Sequence, residues 1–339
     1  MEYQEVLQQA RGRVGPVCKA CPVCNGMACK NTIPGPGAKG LGTTFIRNYQ
    51  KWQELCLNMD TICENAPVDT AFRFFGASLS APILAAPVGA MKLHYGELYD
   101  DASYNNILVP ACAAAGIAAF TGDGTDPTVM TGALNAIAAQ NGYGIPTIKP
   151  WDKATLFAKL DAAKAAHPLA IAMDIDAAGL PFLQNMTPPA GRKTVAELKE
   201  IIDSAQLPFI IKGVMTVKGA LKALEAGAAA IVVSNHGGRV LDSCPATAEV
   251  LPQIAEAVGE RMKILVDGGI RSGQDVFKAL ALGADGVLIG RPFVTMVYGG
   301  GADGVAAYVN KLSAELRDTM AMCGALTLDD IDRSMVFSK

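Results

Sequence analysis

The chain predicts an α/β fold, a closed (β/α)8 barrel behind an N-terminal cysteine-containing extension. Three observations carry this. From residue 83 onward, eight short apolar runs alternate with Ala- and Leu-rich stretches of helical period. The runs are apolar throughout, so each strand is covered on both faces, as in a parallel sheet. Eight such units in about 250 residues match a closed barrel, with a doubly wound open sheet as the other arrangement the alternation allows.

Residues 1–80 make the extension and 81–339 the barrel. The extension holds "CKACPVCNGMAC", the turn-rich "IPGPGAKGLGTT" and the helix-like "TFIRNYQKWQELCLNM". The glycine-rich piece lacks the Gly-Lys-Ser/Thr ending of a phosphate loop, so that reading is rejected. The expected strands are 83–87, 117–121, 144–148, 169–175, 209–212, 229–234, 263–266 and 286–289. After them "GVAAYVNKLSAELRDTMAMCGALTLDDI" repeats apolar residues at helical spacing and is expected to close the barrel.

Composition narrows the function. Half the chain is hydrophobic and 18% charged, with net charge −3, so a large core is available and a nucleic-acid partner is disfavoured. The polar start "MEYQEVLQQARGRVG" shows no secretory pattern, and no run reaches the roughly 18 apolar residues of a membrane span. A soluble, cytoplasmic protein is expected. Nine cysteines, four of them crowded together, suit a metal, cluster or redox site better than a disulfide framework. The other five are expected to pack as small hydrophobes.

In a barrel the chemistry sits where strands end. The ends read "AMDID", "IIKGV", "VVSNHGGR", "LVDGGIRSG" and "LIGRP", which brings Asp176, Lys212, His236, Arg239, Asp267, Arg271 and Arg291 to one mouth. Any one of them could be a helix cap or a surface charge, but seven together point to a site. A lysine ending an apolar strand is costly unless an anion pairs with it. Glycines and arginines after the last two strands suit a phosphorylated cofactor, held by backbone N–H groups and bidentate guanidinium bonds. Of the three histidines, only His236 stands at a strand end of this half. His94 lies in the polar "KLHYGE" loop, and His167 in "AAHPLA", expected at the opposite rim.

At "SNHGGRVLD", "IKGVMT", "LVDGGIRSGQDVFKALALGADGVLIGRP" and, more loosely, "APILAAPVGAMKL", the sequence resembles the FMN-dependent α-hydroxy-acid oxidases and dehydrogenases, the group of glycolate and lactate oxidase. The likeness covers roughly residues 80 to 335. It implies oxidation of a small 2-hydroxy acid to the 2-oxo acid, with two electrons passing to flavin N5. It makes His236 the base, Asp176 its orienting carboxylate and Arg239 the ligand of the substrate carboxylate. Lys212 would face flavin N1 and O2, Ser234 would touch the flavin, and Pro87, Val88 and Gly89 would line the ring, with Thr121, Thr147 and Asp174 as further cofactor contacts. Asp267 would meet the ribityl chain, and Gly268, Gly269, Arg271, Gly290 and Arg291 the phosphate end.

The departures concern the substrate. Where the family has Gln-x-Tyr, this chain has Thr147 and Lys149, and "DAAGLPF" lacks the family's arginine. The family's N-terminal tyrosine has no clear counterpart. Lys149 could serve as a replacement anion ligand or be a solvated lysine. A type 2 isopentenyl-diphosphate isomerase-like flavoenzyme and a flavin-binding redox sensor are the alternatives. Cys18, Cys21, Cys24 and Cys29 follow C-x2-C-x2-C-x4-C, a spacing that suits zinc or an iron–sulfur cluster and equally unligated or redox thiols. A homo-oligomer, and an electron acceptor of unspecified kind, are implied by the family.

Overall fold

Eight parallel strands close into a barrel in the computed structural model of the chain, which describes residues 1–180, 183, 185–186 and 190–337. They are β1 (Ile83–Ala85), β2 (Ala118–Thr121), β3 (Ile145–Ile148), β4 (Ile171–Asp174), β5 (Phe209–Val214), β6 (Ala230–Val233), β7 (Lys263–Val266) and β8 (Gly286–Ile289). Each expected run supplies one strand, most of them trimmed at an end. The run 169–175 stops at Asp174, because Ile175–Gly179 turn away as a short 3-10 helix.

The continuous hydrophobicity has two destinations. Leu84, Phe120, Ala172, Ile210, Val232, Leu265 and Leu288 point into the barrel, while Ile83, Ala85, Ile171, Ile211, Ile264 and Val266 face the helical layer. Before β1, a hairpin of Phe72–Phe74 and Ala77–Leu79 packs Phe72, Phe74 and Leu79 against the interior residues and plugs the end where the strands begin. The other end is left for the site.

Outside the strands lie α3 (Met91–Tyr95), α4 (Asp101–Ala114), α5 (Pro127–Ala139), α6 (Lys153–Ala165), α7 (Val195–Ala205), α8 (Val217–Glu225), α9 (Thr247–Val258), α10 (Gly273–Ala281) and α11 (Arg291–Cys323). Asp126, Asp152, Thr194, Thr216 and Ser272 start five of them, each accepting a backbone N–H of the first turn. The closing helix is longer than its sequence signal. It begins directly after β8, breaks at Gly301 and stops at the left-handed Gly324, so the expected helix beyond residue 324 is instead a turn.

Two helices precede the barrel, α1 (Tyr3–Ala10), packed against α11, and α2 (Thr43–Glu54). The helix expected through "CLNM" ends at Glu54, because Cys56–Leu57 pair antiparallel with Val336–Phe337 near the chain's end. Trp52 of α2 is fully buried and donates its indole N–H to Gly268 O at 2.8 Å, which ties the extension to the loop after β7.

Candidate active site

Strand register alone assembles the charged centre. Asp174 and Lys212 are Cα partners at the ends of β4 and β5, and Asp267 follows the end of β7, two strands further round the barrel. Lys212 Nζ lies 3.0 Å from Asp174 Oδ1 and 3.6 Å from Asp267 Oδ2. Burial by itself would favour a neutral amine, but the charges of Asp174, Asp267 and Asp176 outweigh it and hold Lys212 firmly protonated. The same balance acts on Asp174. Burial pushes it up, yet His236, Lys212 and Lys149 keep it well below the usual carboxylate range.

His236 stands at the start of the loop after β6 with φ +57, an uncommon left-handed conformation for a side-chain-bearing residue. Its Nδ1 meets Asp176 Oδ1 at 3.0 Å and Asp174 Oδ1 at 3.5 Å. That arrangement leaves Nε2 as the ring nitrogen available to a ligand. Asp176 is pushed above its ordinary value, first by burial and further by the neighbouring Asp174 charge, against the pull of His236 and Lys212. Its carboxylate sits over Gly213, where a Cβ would come within 2.5 Å of Asp176 Cγ at φ +103. This is why "IIKGV" carries a glycine behind its lysine.

These groups face a cavity of about 580 Å³, within the roughly 300–1,000 Å³ of small-molecule and cofactor sites. Its wall carries five cationic side chains, Lys149, Lys212, Arg239, Arg271 and Arg291, against the carboxylates Asp123, Asp174 and Asp267. The surplus of positive charge calls for anionic occupants. Lys149 is no solvated lysine, since its side chain is 12% exposed and Nζ lies 3.9 Å from Asp174 Oδ2.

The glycine-rich segment found no function in the sequence and finds one here. Arg239 Nη1 donates to Gly35 O and, at 3.2 Å, to Gly37 O. Arg291 donates to Pro36 O at 2.6 Å, Gly37 O at 3.1 Å and Gly237 O at 2.9 Å, while its guanidinium lies 3.7 Å above the Phe45 ring. Ile33 and Pro34 complete that side of the wall.

Two residues escaped the sequence reading. His94, in α3, lines the cavity, with Nε2 3.4 Å from Arg239 Nη2. Burial, followed by the charges of Arg239, Lys149 and His236, pushes it down to about 3, so it is neutral at physiological pH. Asp123 is buried beyond β2 and accepts the Trp151 indole N–H at 2.5 Å, Lys159 Nζ at 2.7 Å and the Lys149 backbone N–H at 3.1 Å. It fixes the segment that carries Lys149. A strand-end carboxylate in "TGDG" was the available signal for Asp123, whereas "KLHYGE" offered none for His94.

Of the expected site residues, Pro87, Val88, Gly89, Thr147, Lys149, Asp174, Lys212, His236, Arg239, Asp267, Gly268, Gly269, Arg271, Gly290 and Arg291 all line the cavity. Thr121, Asp176 and Ser234 are packed behind that wall, and Ser234 Oγ accepts the His236 backbone N–H at 3.1 Å. In "DAAGLPF", Leu180 lines the cavity, and residues 181 and 182 lie outside the described residues. His167 precedes β4, at the opposite rim.

The wall suits a phosphorylated cofactor. Thr147 Oγ1 and Asp267 Oδ1 are buried without a hydrogen-bond partner, and Gly290 opens α11 with no side-chain cap, so the positive end of a long helix faces the cavity. Gly269 holds φ +87, and a Cβ there would meet Asn48 O at 2.3 Å, so only glycine lets this loop run beside α2.

The comparisons agree. The model of the FMN-dependent dehydrogenase family matches residues 36–185 and 182–338. A peroxisomal (S)-2-hydroxyacid oxidase of Arabidopsis thaliana is 31% identical over 325 residues, covering 86% of this chain and 88% of the relative. An L-lactate oxidase of Lactobacillus jensenii is 47% identical over 147 residues, 43% of this chain and 35% of that one. Among solved structures, mandelate oxidase superposes with a TM-score of 0.81 at 25% identity, covering 100% of this chain and 98% of that one. A mandelate oxidase variant with an FMN adduct gives 0.76 at 28% identity over 89% and 93% of the two chains. These relatives favour the oxidoreductase over the isomerase alternative. With a family match across most of its length and a relative 31% identical over 86% of the chain, the chain belongs to the FMN-dependent dehydrogenases, oxidoreductases acting on CH–OH donors.

Proposed function

We propose that the enzyme oxidises a small 2-hydroxy acid to the 2-oxo acid, with His236 as the base. The supporting observation is the 3.0 Å contact between His236 Nδ1 and Asp176 Oδ1 beside a cavity that Arg239 also faces. Bound FMN supplies the two-electron acceptor. Gly268, Gly269, Gly290, Arg271 and Arg291 would hold its phosphate end, Asp267 its ribityl chain, and Pro87–Gly89, Thr147 and Lys212 its ring, with Thr121, Asp174 and Ser234 in support.

The chain's own residues then divide the work. Asp176 keeps the His236 proton on Nδ1, so Nε2 can accept the proton the substrate loses, and the carboxylate stabilises the imidazolium that results. Arg239 offers its guanidinium to the substrate carboxylate. In the tautomer with its proton on Nδ1, His94 accepts from Arg239 through Nε2 and so holds the guanidinium in place for the acid. Lys149, where the family has a tyrosine, adds a positive charge on the same wall. Arg239, Lys149 and His94 thus take over the grip that the missing tyrosines would have supplied.

No helix among the described residues is long and apolar enough to cross a membrane, and nine free cysteines suit a reducing compartment such as the cytoplasm. A homo-oligomer is proposed by analogy with the family. The test is anaerobic addition of glycolate, lactate and mandelate to the FMN-loaded protein. At least one should bleach the flavin, and His236→Ala should keep its FMN while slowing that bleaching by about 10²-fold or more. If no 2-hydroxy acid bleaches the wild type, or the alanine variant bleaches at the wild-type rate, the assignment fails.

A further inference from the structure

A second cavity, of about 280 Å³, lies beside the first, and Cys18, Cys21, Cys24 and Cys29 all line it. We propose that these four cysteines hold a four-iron iron–sulfur cluster there. None of the four is in a disulfide.

Spacing separates the two candidate occupants. Tetrahedral zinc, with bonds of about 2.3 Å, draws its four sulfurs to about 3.8 Å from one another. Among the described residues no three of these sulfurs lie within 4.8 Å of each other. An iron–sulfur core is several ångströms across and holds its cysteines further apart, around a space such as this cavity. Three cysteines at two-residue spacing, with a fourth close behind, supply the four thiolates from one loop.

Charge and packing point the same way. A core bound by four thiolates is an anion, and Arg271 and Arg291 line this cavity together with Lys19 and Lys311. Arg271 Nε also donates to Cys24 O at 2.8 Å, which fixes the loop to the barrel. Residues 11–42 contain one short 3-10 turn, Met27–Cys29, and their buried hydrophobic side chains are only Val14, Ala20 and Ala38. So long a segment with so little core of its own needs another anchor, and a cluster provides one. Arg271 and Arg291 line both cavities, so the cluster gives the enzyme a one-electron centre directly beside its flavin site.

The test is reconstitution of the full chain under anaerobic conditions with ferrous iron and sulfide, read by iron and acid-labile sulfide content and by electron paramagnetic resonance after dithionite. The expected result is four irons and four sulfides per chain, with a reduced-cluster signal. Cys21→Ser and Cys24→Ser should lose both while still binding FMN, which shows that they remain folded. The proposal is overturned if the wild type takes up no more iron and sulfide than a variant with all four cysteines changed to serine. It is equally overturned if the four thiols bind one zinc per chain that iron and sulfide do not replace.

Discussion

Replacing Asp176 by asparagine isolates the electrostatic part of the proposed base. The change keeps shape and volume beside His236 but removes the charge 3.0 Å from Nδ1. At an effective dielectric constant of about 20, unit charges at that separation attract by about 5 kcal/mol, close to four decades in rate at about 1.4 kcal/mol per decade. Two further features of the site act in opposite directions on that figure. Asp174 Oδ1, 3.5 Å from the same nitrogen, still faces the imidazolium in the variant. The new amide can also present an N–H to Nδ1, which forces the ring proton onto Nε2 and blocks the base. The expected loss in the rate of anaerobic flavin reduction is therefore about 10²–10⁴-fold. Stopped-flow absorbance of the flavin, with FMN content measured in parallel, reads it directly. A variant that holds FMN and reduces it within threefold of the wild-type rate would refute the role of Asp176 and, with it, the reading of His236 as an oriented base.

Gly213→Ala should act on the same aspartate without touching its charge: its Cβ would press within 2.5 Å of Asp176 Cγ, and the shift of about 1 Å needed to relieve that contact should cost about 10²-fold in flavin reduction while FMN stays bound. Unchanged kinetics would mean that Asp176 can move freely. Lys149→Met should raise KM for the acid about tenfold and leave kcat within a few-fold, because the charge would hold the substrate alike in ground and transition states; an unchanged KM excludes it from the anion site. Asp242→Ala tests the loop instead, since Asp242 accepts Thr43 Oγ1 at 2.7 Å and the Thr44 backbone N–H at 2.9 Å at the start of α2. The loss should be about 1–2 kcal/mol at neutral pH, as for an N-cap. Although burial opposes it, these bonds lower Asp242 from 3.8 to about 2, so its contribution is complete above its unfolded value and disappears as the pH falls toward 2. The urea midpoints of wild type and variant should therefore converge over that acid range, and a gap that persists would place the effect elsewhere.

The barrel was legible because its signal is local and repeated. Each strand is a short apolar run, each following helix has its own period, and the barrel places every strand end on one rim, so reading the residues after the runs amounted to reading the site. His94 was not legible for the opposite reason. Its direction depends on Ala90, whose left-handed φ of +56 starts the five-residue α3, and on the partner Arg239, which is 145 positions away. The segment 33–40 was illegible in a further way, because it acts through backbone carbonyls, which every residue carries. Its glycines marked a turn but could not show that Arg239 and Arg291 would use its carbonyl oxygens.

Those carbonyls set a condition on ligand binding. Each bond from a guanidinium to Gly35, Pro36, Gly37 or Gly237 is charge-assisted and is worth about 1.5–3 kcal/mol. An incoming phosphate or carboxylate offers the same arginines a full negative charge and two oxygens in the fork geometry, which outmatches a neutral carbonyl. Occupation of the mouth should therefore loosen the hold of Arg239 and Arg291 on the 33–40 segment, or recruit that segment into the wall around the ligand. The same segment begins four residues after Cys29, and Arg291 reaches both cavities. A shift of Arg291 on ligand binding would therefore be felt at the cysteine loop as well as at the anion site. This physical link gives the extension a place in the chemistry, although it contributes no strand to the barrel.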